Sequence, residues 1–298
     1  MIGILSGFEC NLRAIAMQNF FTFGTLSFWG VHLLCLAALA LPFQISDVVL
    51  CIGLYYLRMF FITGGYHRYF SHRTYQTSRP FQFFIAFMAM TSSQKGVLWW
   101  GAHHRFHHQH SDQDQDVHSP KKGFWWSHAG WIMSDLHEET DYSKIQDFAK
   151  YPELVWLNRH WTVPAFMFAL ATYLLGGIHG FVWGGVISTV LLWHGTFTIN
   201  SLSHVWGSRR YETTDTSRNN FILSMITLGE GWHNNHHRFP GTTRNGFFWW
   251  EIDITYYVLK IFSVLGLVWN LRPVPSAAFQ SQNWIGRAEV RSETASAN

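Results

Sequence analysis

Histidine dominates the chemistry available to this 298-residue chain, and its spacing is the first clue to what that chemistry is. The stretch from Trp99 to His118, WWGAHHRFHHQHSDQDQDVH, holds six histidines. Three clusters and one pair stand out: His67-RYFS-His72, His104-RF-His107-His108, His233-NN-His236-His237 and Asn200-SLS-His204. On a helix, residues three and four apart share a face, so HRFHH and HNNHH can each turn three imidazoles toward one point. Asn200 and His204 stand in the same relation. The five-residue step from His67 to His72 stacks less well and predicts that the helix ends or bends between them. Neutral imidazole suits iron, zinc, copper and nickel, and nine such ligands exceed what one ion takes, so a pair of ions is expected. Structural zinc sites favour tight tetrahedral sets that include cysteine, at spacings unlike these. Redox iron fits better, with zinc left open by ligand type.

The remaining polar groups divide into supporting and structural roles. His32, His179 and His194 sit in or beside apolar runs and read as structural. His103, His110, His118 and His128 are candidates to orient ligands, with plain solvation as the alternative. Glu230 and Asp116 are candidates to hold ligand imidazoles by their far nitrogen, with a solvated carboxylate the favoured reading for Asp116. Trp99, Trp100, Trp125, Trp126, Trp249 and Trp250 read as an interfacial aromatic belt.

The elements that must position these groups are apolar helices. Only 13% of the side chains are charged and 18% are aromatic, an unusual surface for a soluble protein. Four windows, 20–43, 48–65, 163–178 and 181–202, approach the ~20 apolar residues needed to cross a bilayer. QISD and GIHG join them into two hairpins, and neither turn carries Lys or Arg. Ten of the 21 basic residues fall between Tyr66 and Trp161 and nine follow Ser203. The positive-inside rule therefore puts both termini and the middle segment in the cytoplasm. His67 and His72 follow the second window and His204 the fourth, so all the histidine clusters emerge at one membrane face. The expected fold is an all-α integral membrane protein: four spans, and a helical cytoplasmic cap, 66–161 and 203–285, holding a dimetal centre.

Other classes are disfavoured. A net charge of +3 with no basic run is too slight to suggest nucleic acid as a partner, while a basic cytoplasmic face suits anionic lipid headgroups or an acidic protein. Cys10, Cys35 and Cys51 are odd in number, and two lie in predicted spans, so no disulfide framework is expected. The N-terminal MIGILSGFECNLRA carries no removable signal pattern. PFQFFIAFMAM is too short for a span and is expected in the interface or cap, and YYVLKIFSVLGLVW as an amphipathic helix on the bilayer. The tail 286–298 is polar and expected to be disordered. A membrane metal carrier would place ligands inside the spans, not beyond one face of them.

ITGGYHRYFSH, HHRFHHQHSDQDQDVHSP, KKGFWWSHAGW, INSLSHVWG and GEGWHNNHHRFP closely resemble the membrane acyl-CoA desaturases, the stearoyl-CoA or delta-9 desaturase family, in order and spacing. The resemblance covers the chain from the first window to about Leu271. It implies a mushroom-shaped protein as a single desaturase domain over residues 1–298, with a di-iron centre on His67, His72, His104, His107, His108, His204, His233, His236 and His237. Asn200 would reach one metal through water. The implied reaction is oxygen-dependent insertion of a cis double bond into a saturated acyl-CoA of sixteen to eighteen carbons. Breaking an unactivated C–H bond needs an oxidant that acid/base side chains cannot supply, and regioselectivity needs a tunnel that fixes the chain. Gln94, Trp100, Trp131 and Thr196 align with tunnel residues of the family, Tyr55 and Met59 with its closed end, and Lys95 with a headgroup contact.

The chain departs from the animal members at Ala102, Asp135 and Leu136, where the family holds CoA with amide and basic side chains. Lys121 and Lys122 are alternative phosphate contacts or simply a solvated basic face. Acyl-lipid or acyl-carrier-protein substrates therefore stay open, as does a related hydroxylase, which a double bond or an alcohol in the product would distinguish. The bulk of Met59 predicts a shortened tunnel favouring palmitoyl chains. No haem-binding HPGG stretch occurs, so a cytochrome b5-like protein or a ferredoxin is expected to donate electrons in trans. The expected location is the plasma membrane in a bacterium or the endoplasmic reticulum in a eukaryote.

Overall fold

A computed structural model describes residues 23–134, 138–280 and 284–285. Cys10, Asp135, Leu136 and the tail from Gly286 lie outside the described residues. Among the described residues the regular structure is almost wholly helical, with one two-stranded antiparallel sheet, Gln76–Thr77 on Val268–Trp269, and a few isolated bridges.

Helix α1, Phe23–Leu34, continues as a 3-10 turn to Ala40. Helix α2, Ile45–Phe60, runs without a break into a π-helix, Phe61–Ser71. Ile45–Ser71 and Thr162–Val205 are long and apolar enough to cross a membrane, and Gly24–Ala40 is a shorter apolar helix. The window 48–65 lies inside the first stretch, and 163–178 and 181–202 form the two arms of the second.

Helix α3, Arg79–Met90, is the PFQFFIAFMAM patch. Ser78 caps it by accepting from the Phe81 N–H, and Pro80 occupies the first turn, where no donor is missed. It buries Ile85, Ala86, Ala89 and Met90 against the π-helix. Gly65 permits that approach, since a Cβ there would meet Ile85 Cγ2 at 2.8 Å. Phe83 and Phe84 face outward.

Helix α4, Val97–His110, carries the HRFHH cluster. Its first turn is capped from a distance: Asn158 Oδ1, on α5 (Pro152–Arg159), accepts from the N–H groups of Leu98 and Trp99 at 3.0 and 2.9 Å. Two donors orphaned by helix geometry are thereby satisfied. A Cβ on Gly96 would collide with that Asn158 carboxamide, so glycine is required. Tyr66, Phe70, Met90, Leu98, Leu154 and Leu157 lock these elements into one core.

Helix α6, Thr162–His179, is interrupted at Gly177, whose φ of 58° and ψ of −150° suit glycine alone. Beyond it Gly180 and Gly185 pack against Thr172, so the chain doubles back. A π-wound segment, Gly180–Ile187, leads into α7, Ser188–Asn200. The short helix α8, His233–Arg238, carries HNNHH. Helix α9, Ile254–Val264, buries Thr255 and Leu259 and leaves Tyr257, Ile261 and Val264 exposed, the one-sided burial expected of an amphipathic helix.

Candidate metal centre

The π-helix delivers the first pair of imidazoles. Its cap is an i→i+5 bond, in which the His72 N–H donates to the His67 carbonyl at 3.1 Å. The helix does end at His72, but it does not bend the two rings apart. Five residues make one π-turn, so both face the same side with centroids 4.8 Å apart. The five-residue step that stacks poorly on an α-helix matches the i→i+5 bonding of this one.

Five side chains converge first. The Nε2 atoms of His67, His236, His108, His104 and His72 follow one another at 3.0, 3.0, 3.0 and 2.9 Å. Ligand atoms at right angles around one ion, with metal–nitrogen bonds of about 2.1 Å, stand roughly 3.0 Å apart. This spacing is thus what a single ion demands of five imidazoles. His107, His204 and His237 form a second group whose nitrogens lie within 4.8 Å of one another. His233 Nε2 adjoins it, 3.1 Å from His204 Nε2, and His237 Nε2 is buried without a partner. Two all-nitrogen pockets, one with a ligand atom left bare, fit two ions of the imidazole-binding metals.

Carboxylates grip these rings from behind. His67 Nδ1 lies 2.8 Å from Glu230 Oε2, off the line an ideal hydrogen bond would take. His107 Nδ1 lies 3.1 Å from both oxygens of Asp116. His237 Nδ1 donates to Asp215 at 2.6 Å, and His204 Nδ1 meets Thr216 Oγ1 at 3.2 Å and Asp112 at 3.4 Å. A carboxylate on Nδ1 fixes the tautomer and turns the Nε2 lone pair toward the metal. For Asp116 the orienting reading replaces the favoured solvated one: it is fully buried and also accepts from the Asp112 N–H. Asp112 and Asp215 escaped sequence reasoning. The first lies in the acid-rich SDQDQD run beside the cluster, a usable signal. The second sits in a loop with no local signature.

Burial and the neighbouring imidazoles push His72, His104, His108, His233 and His236 well below the ordinary histidine range, leaving them neutral and free to ligate. Burial pulls His237 down to about 4 despite its bond to Asp215. Burial opposes ionisation of Asp215, yet the His237 hydrogen bond holds it well below the usual carboxylate range. Glu230 is likewise lowered against its burial, by His67 and Arg68. Arg68, itself buried, pairs with Glu230 and Asp253 at 2.9 Å each, so the carboxylate behind His67 is fixed in turn.

The intervening asparagines of HNNHH are equally constrained. Asn234 accepts from the N–H groups of Arg210 and Tyr211, and Asn235 donates to the Asn245 carbonyl and Glu251. Both are fully buried and hold α8 in register with the loops around it. Of the candidate orienting histidines, His118 lies 4.3 Å ring to ring from His107. His103 and His110 bond back to carbonyls of their own helix. His128 bonds Ser201.

A cavity of about 430 Å³ reaches His104. Gln94, Lys95, Trp100, Trp131, Thr196 and Asn200 line it together with apolar residues of α1, α6 and α7. Gln94 donates to Thr196 Oγ1 at 3.0 Å. Trp100 is stacked between Tyr66 and His104, at 5.3 and 4.9 Å. Trp99 and Trp100 therefore wall the cavity instead of joining an interfacial belt, whereas Trp125 and Trp249 are exposed. Tyr55 and Met59 are not in the cavity wall. Both pack against Gly195, and the Tyr55 hydroxyl donates to the Ile226 carbonyl at 2.9 Å. Lys122 Nζ donates to the Asp116 carbonyl, so it braces the centre.

Residues 43–260 match the family model described as fatty acid desaturase. The chain belongs to the fatty acid desaturase family. It is 41% identical over 208 residues to an sn-2 palmitoyl-lipid 9-desaturase of Nostoc sp. (strain 36), covering 68% of this chain and 73% of that one. An acyl-CoA C20 Delta5-desaturase of Anemone leveillei is 35% identical over 85% of this chain and 82% of its own. A Delta-9 desaturase-like protein of Arabidopsis thaliana is 39% identical over 82% of each. This desaturase is accordingly an acyl-chain oxidoreductase of lipid metabolism, with histidine clusters fit for metal and apolar helices fit for a membrane.

Proposed function

We propose that this desaturase is a di-iron, oxygen-dependent enzyme that places a cis double bond at the delta-9 position of a saturated acyl chain of sixteen to eighteen carbons, carried as the CoA thioester. The observation that carries the reading is a pair of imidazole pockets, one of which meets an apolar cavity at His104. The nine histidines would hold two irons, Asn200 would reach one through water, and iron with molecular oxygen would supply the oxidising power that a C–H bond of an alkyl chain requires. The protein supplies the rest. Glu230, Asp112, Asp116 and Asp215 keep the imidazoles oriented, and the Trp100 and Trp131 faces exclude water from the chain. The Gln94–Thr196 bond joins the loop after α3 to α7 beside the cavity and so fixes the depth at which the chain passes His104.

The whole chain forms one desaturase domain. Four helical passes, two hairpins with both termini on the cytoplasmic side, carry a cap made of 66–161 and 203–285. Electrons arrive from a separate cytochrome b5-like protein or ferredoxin. A second reading replaces the CoA thioester by a membrane lipid. Lys95, the one lysine in the cavity wall, is 3.6 Å from Glu138, an arrangement poorly suited to several phosphates. The Nostoc relative is named for a palmitoyl-lipid substrate. Expression in a desaturase-deficient host, with double bonds mapped by mass spectrometry and His107→Ala as control, tests the reaction. A cis monoene lost in the variant is expected; a hydroxylated product would overturn it. Labelled acyl-CoA and labelled phospholipid, supplied separately to purified enzyme and donor, distinguish the carriers.

A further inference from the structure

Three histidines outside the metal pockets form a continuous chain. His32 Nδ1 lies 2.7 Å from the Phe28 carbonyl, and His32 Nε2 lies 3.0 Å from His194 Nε2. His194 Nδ1 lies 3.0 Å from His128 Nε2, and His128 Nδ1 lies 2.9 Å from Ser201 Oγ. The Phe28 carbonyl can only accept, so His32 carries its proton on Nδ1 and accepts at Nε2. His194 must then donate from Nε2 and accept at Nδ1, and His128 must donate from Nε2 and accept at Nδ1. Ser201 closes the series by donating to His128, forgoing its alternative acceptor, the Phe197 carbonyl. The opposite direction would set two lone pairs against each other at His32 and Phe28. One neutral arrangement therefore satisfies every member, and it ties α1 to α7 and to the short helix Phe124–His128.

The tied element is a wall of the cavity. Gly24, Ser27, Phe28, Val31 and Leu34 present one face of α1 to it. Next to the chain, Phe28 stacks on Trp193 at 5.6 Å, and both rings line the cavity. Among the described residues, Thr25 Oγ1 also ties α1 down by donating to the Met133 carbonyl at 3.3 Å. Among apolar helices, hydrophobic burial cannot specify a docking position, because lipid tails are as apolar as the neighbouring helix. Hydrogen bonds between helices can.

We propose that His32, His194, His128 and Ser201 form a positioning chain that docks α1 as the wall of the acyl cavity and thereby sets which chain lengths fit. The proposal rests on the reading of that cavity as the acyl site. None of the three imidazoles has been placed among the metal ligands, so the chain acts on space and not on the metal.

The test uses the full chain in detergent and in a desaturase-deficient host, with His194→Leu, which cuts both links. It also uses His194→Gln, whose amide can donate to His32 and accept from His128. Three quantities are read: hydrogen exchange of the backbone over Phe23–Leu34, metal bound per chain, and the ratio of sixteen- to eighteen-carbon monoenes. His194→Leu is expected to speed exchange in α1 and to shift the product ratio by roughly threefold or more, with metal content unchanged and His194→Gln near wild type. Unchanged exchange overturns the proposal. So does faster exchange with an unaltered ratio, loss of metal alongside the shift, or a His194→Gln profile identical to that of His194→Leu. Absence of any monoene from the wild-type chain would instead refute the reading of the cavity, while the exchange result still reports on the chain of histidines.

Discussion

Asp215→Asn removes a charge from behind one ligand and leaves the ligand itself in place. Asp215 Oδ2 is 2.6 Å from His237 Nδ1, and its other oxygen is occupied by the Ser217 N–H at 2.9 Å and the Thr213 hydroxyl at 3.0 Å. The asparagine can keep one of these contacts by its carbonyl, but a charge-assisted bond to the imidazole becomes a neutral one, of about half the strength. Carboxylates in this position are typically worth 10- to 100-fold in metal affinity, which is about 1.4–2.7 kcal/mol. His237 belongs with His107 and His204, whereas the five-imidazole pocket is braced through His67 by Glu230. The loss should therefore fall on one of two ions. Purified iron-loaded protein is dialysed against graded chelator and the metal retained per chain is measured by mass spectrometry. The expected curve has two steps, with one ion released at a roughly 10- to 100-fold lower chelator concentration than in wild type and the other unmoved. Glu230→Gln should shift the opposite step. A single step in which both ions leave together at the wild-type concentration would refute the two-pocket geometry and the bracing role of Asp215.

Removing the remote cap by Asn158→Ala should cost about 1–2 kcal/mol, because two N–H groups at the start of α4 lose their acceptor in a buried place; the thermal midpoint in detergent measures it. Acid should destabilise the metal-free protein through His237 and His118, which burial lowers to about 4 and about 3. Unfolded imidazole titrates near 6.5, so the unfolded state binds more protons below that pH. The contribution is complete above about 6.5 and falls away as pH drops through 4, and a thermal midpoint unchanged between pH 7 and 4 would contradict it. Met59→Ala should lower stability by about 2–5 kcal/mol as a buried truncation while leaving the sixteen- to eighteen-carbon product ratio as in wild type, since Met59 packs on Gly195 outside the cavity. A shift toward longer products would restore the expectation that it closes the tunnel.

The clusters HRFHH and HNNHH, the pair Asn200 and His204, and the apolar windows are local patterns, and local geometry alone says that such residues share a face. Sequence was thus enough to name nine metal-binding candidates, an apolar helical scaffold and the family. It could not tell that the step from His67 to His72 is a π-turn, because a five-residue spacing reads equally as a helix that ends or bends, and the segment is buried throughout against neighbouring elements. Nor could it see that Asp215 stands behind His237, or that Asp116 is buried, since a carboxylate's partner is fixed by contacts between distant segments. Asn158 caps a helix that begins sixty residues earlier, and His32 meets His194 across 162 residues of chain. Ligand identity follows from side-chain chemistry and periodicity, both written residue by residue. Ligand orientation, the division into two pockets and the walls of the cavity follow from long-range hydrogen bonds and close packing, which exist only once the chain has folded.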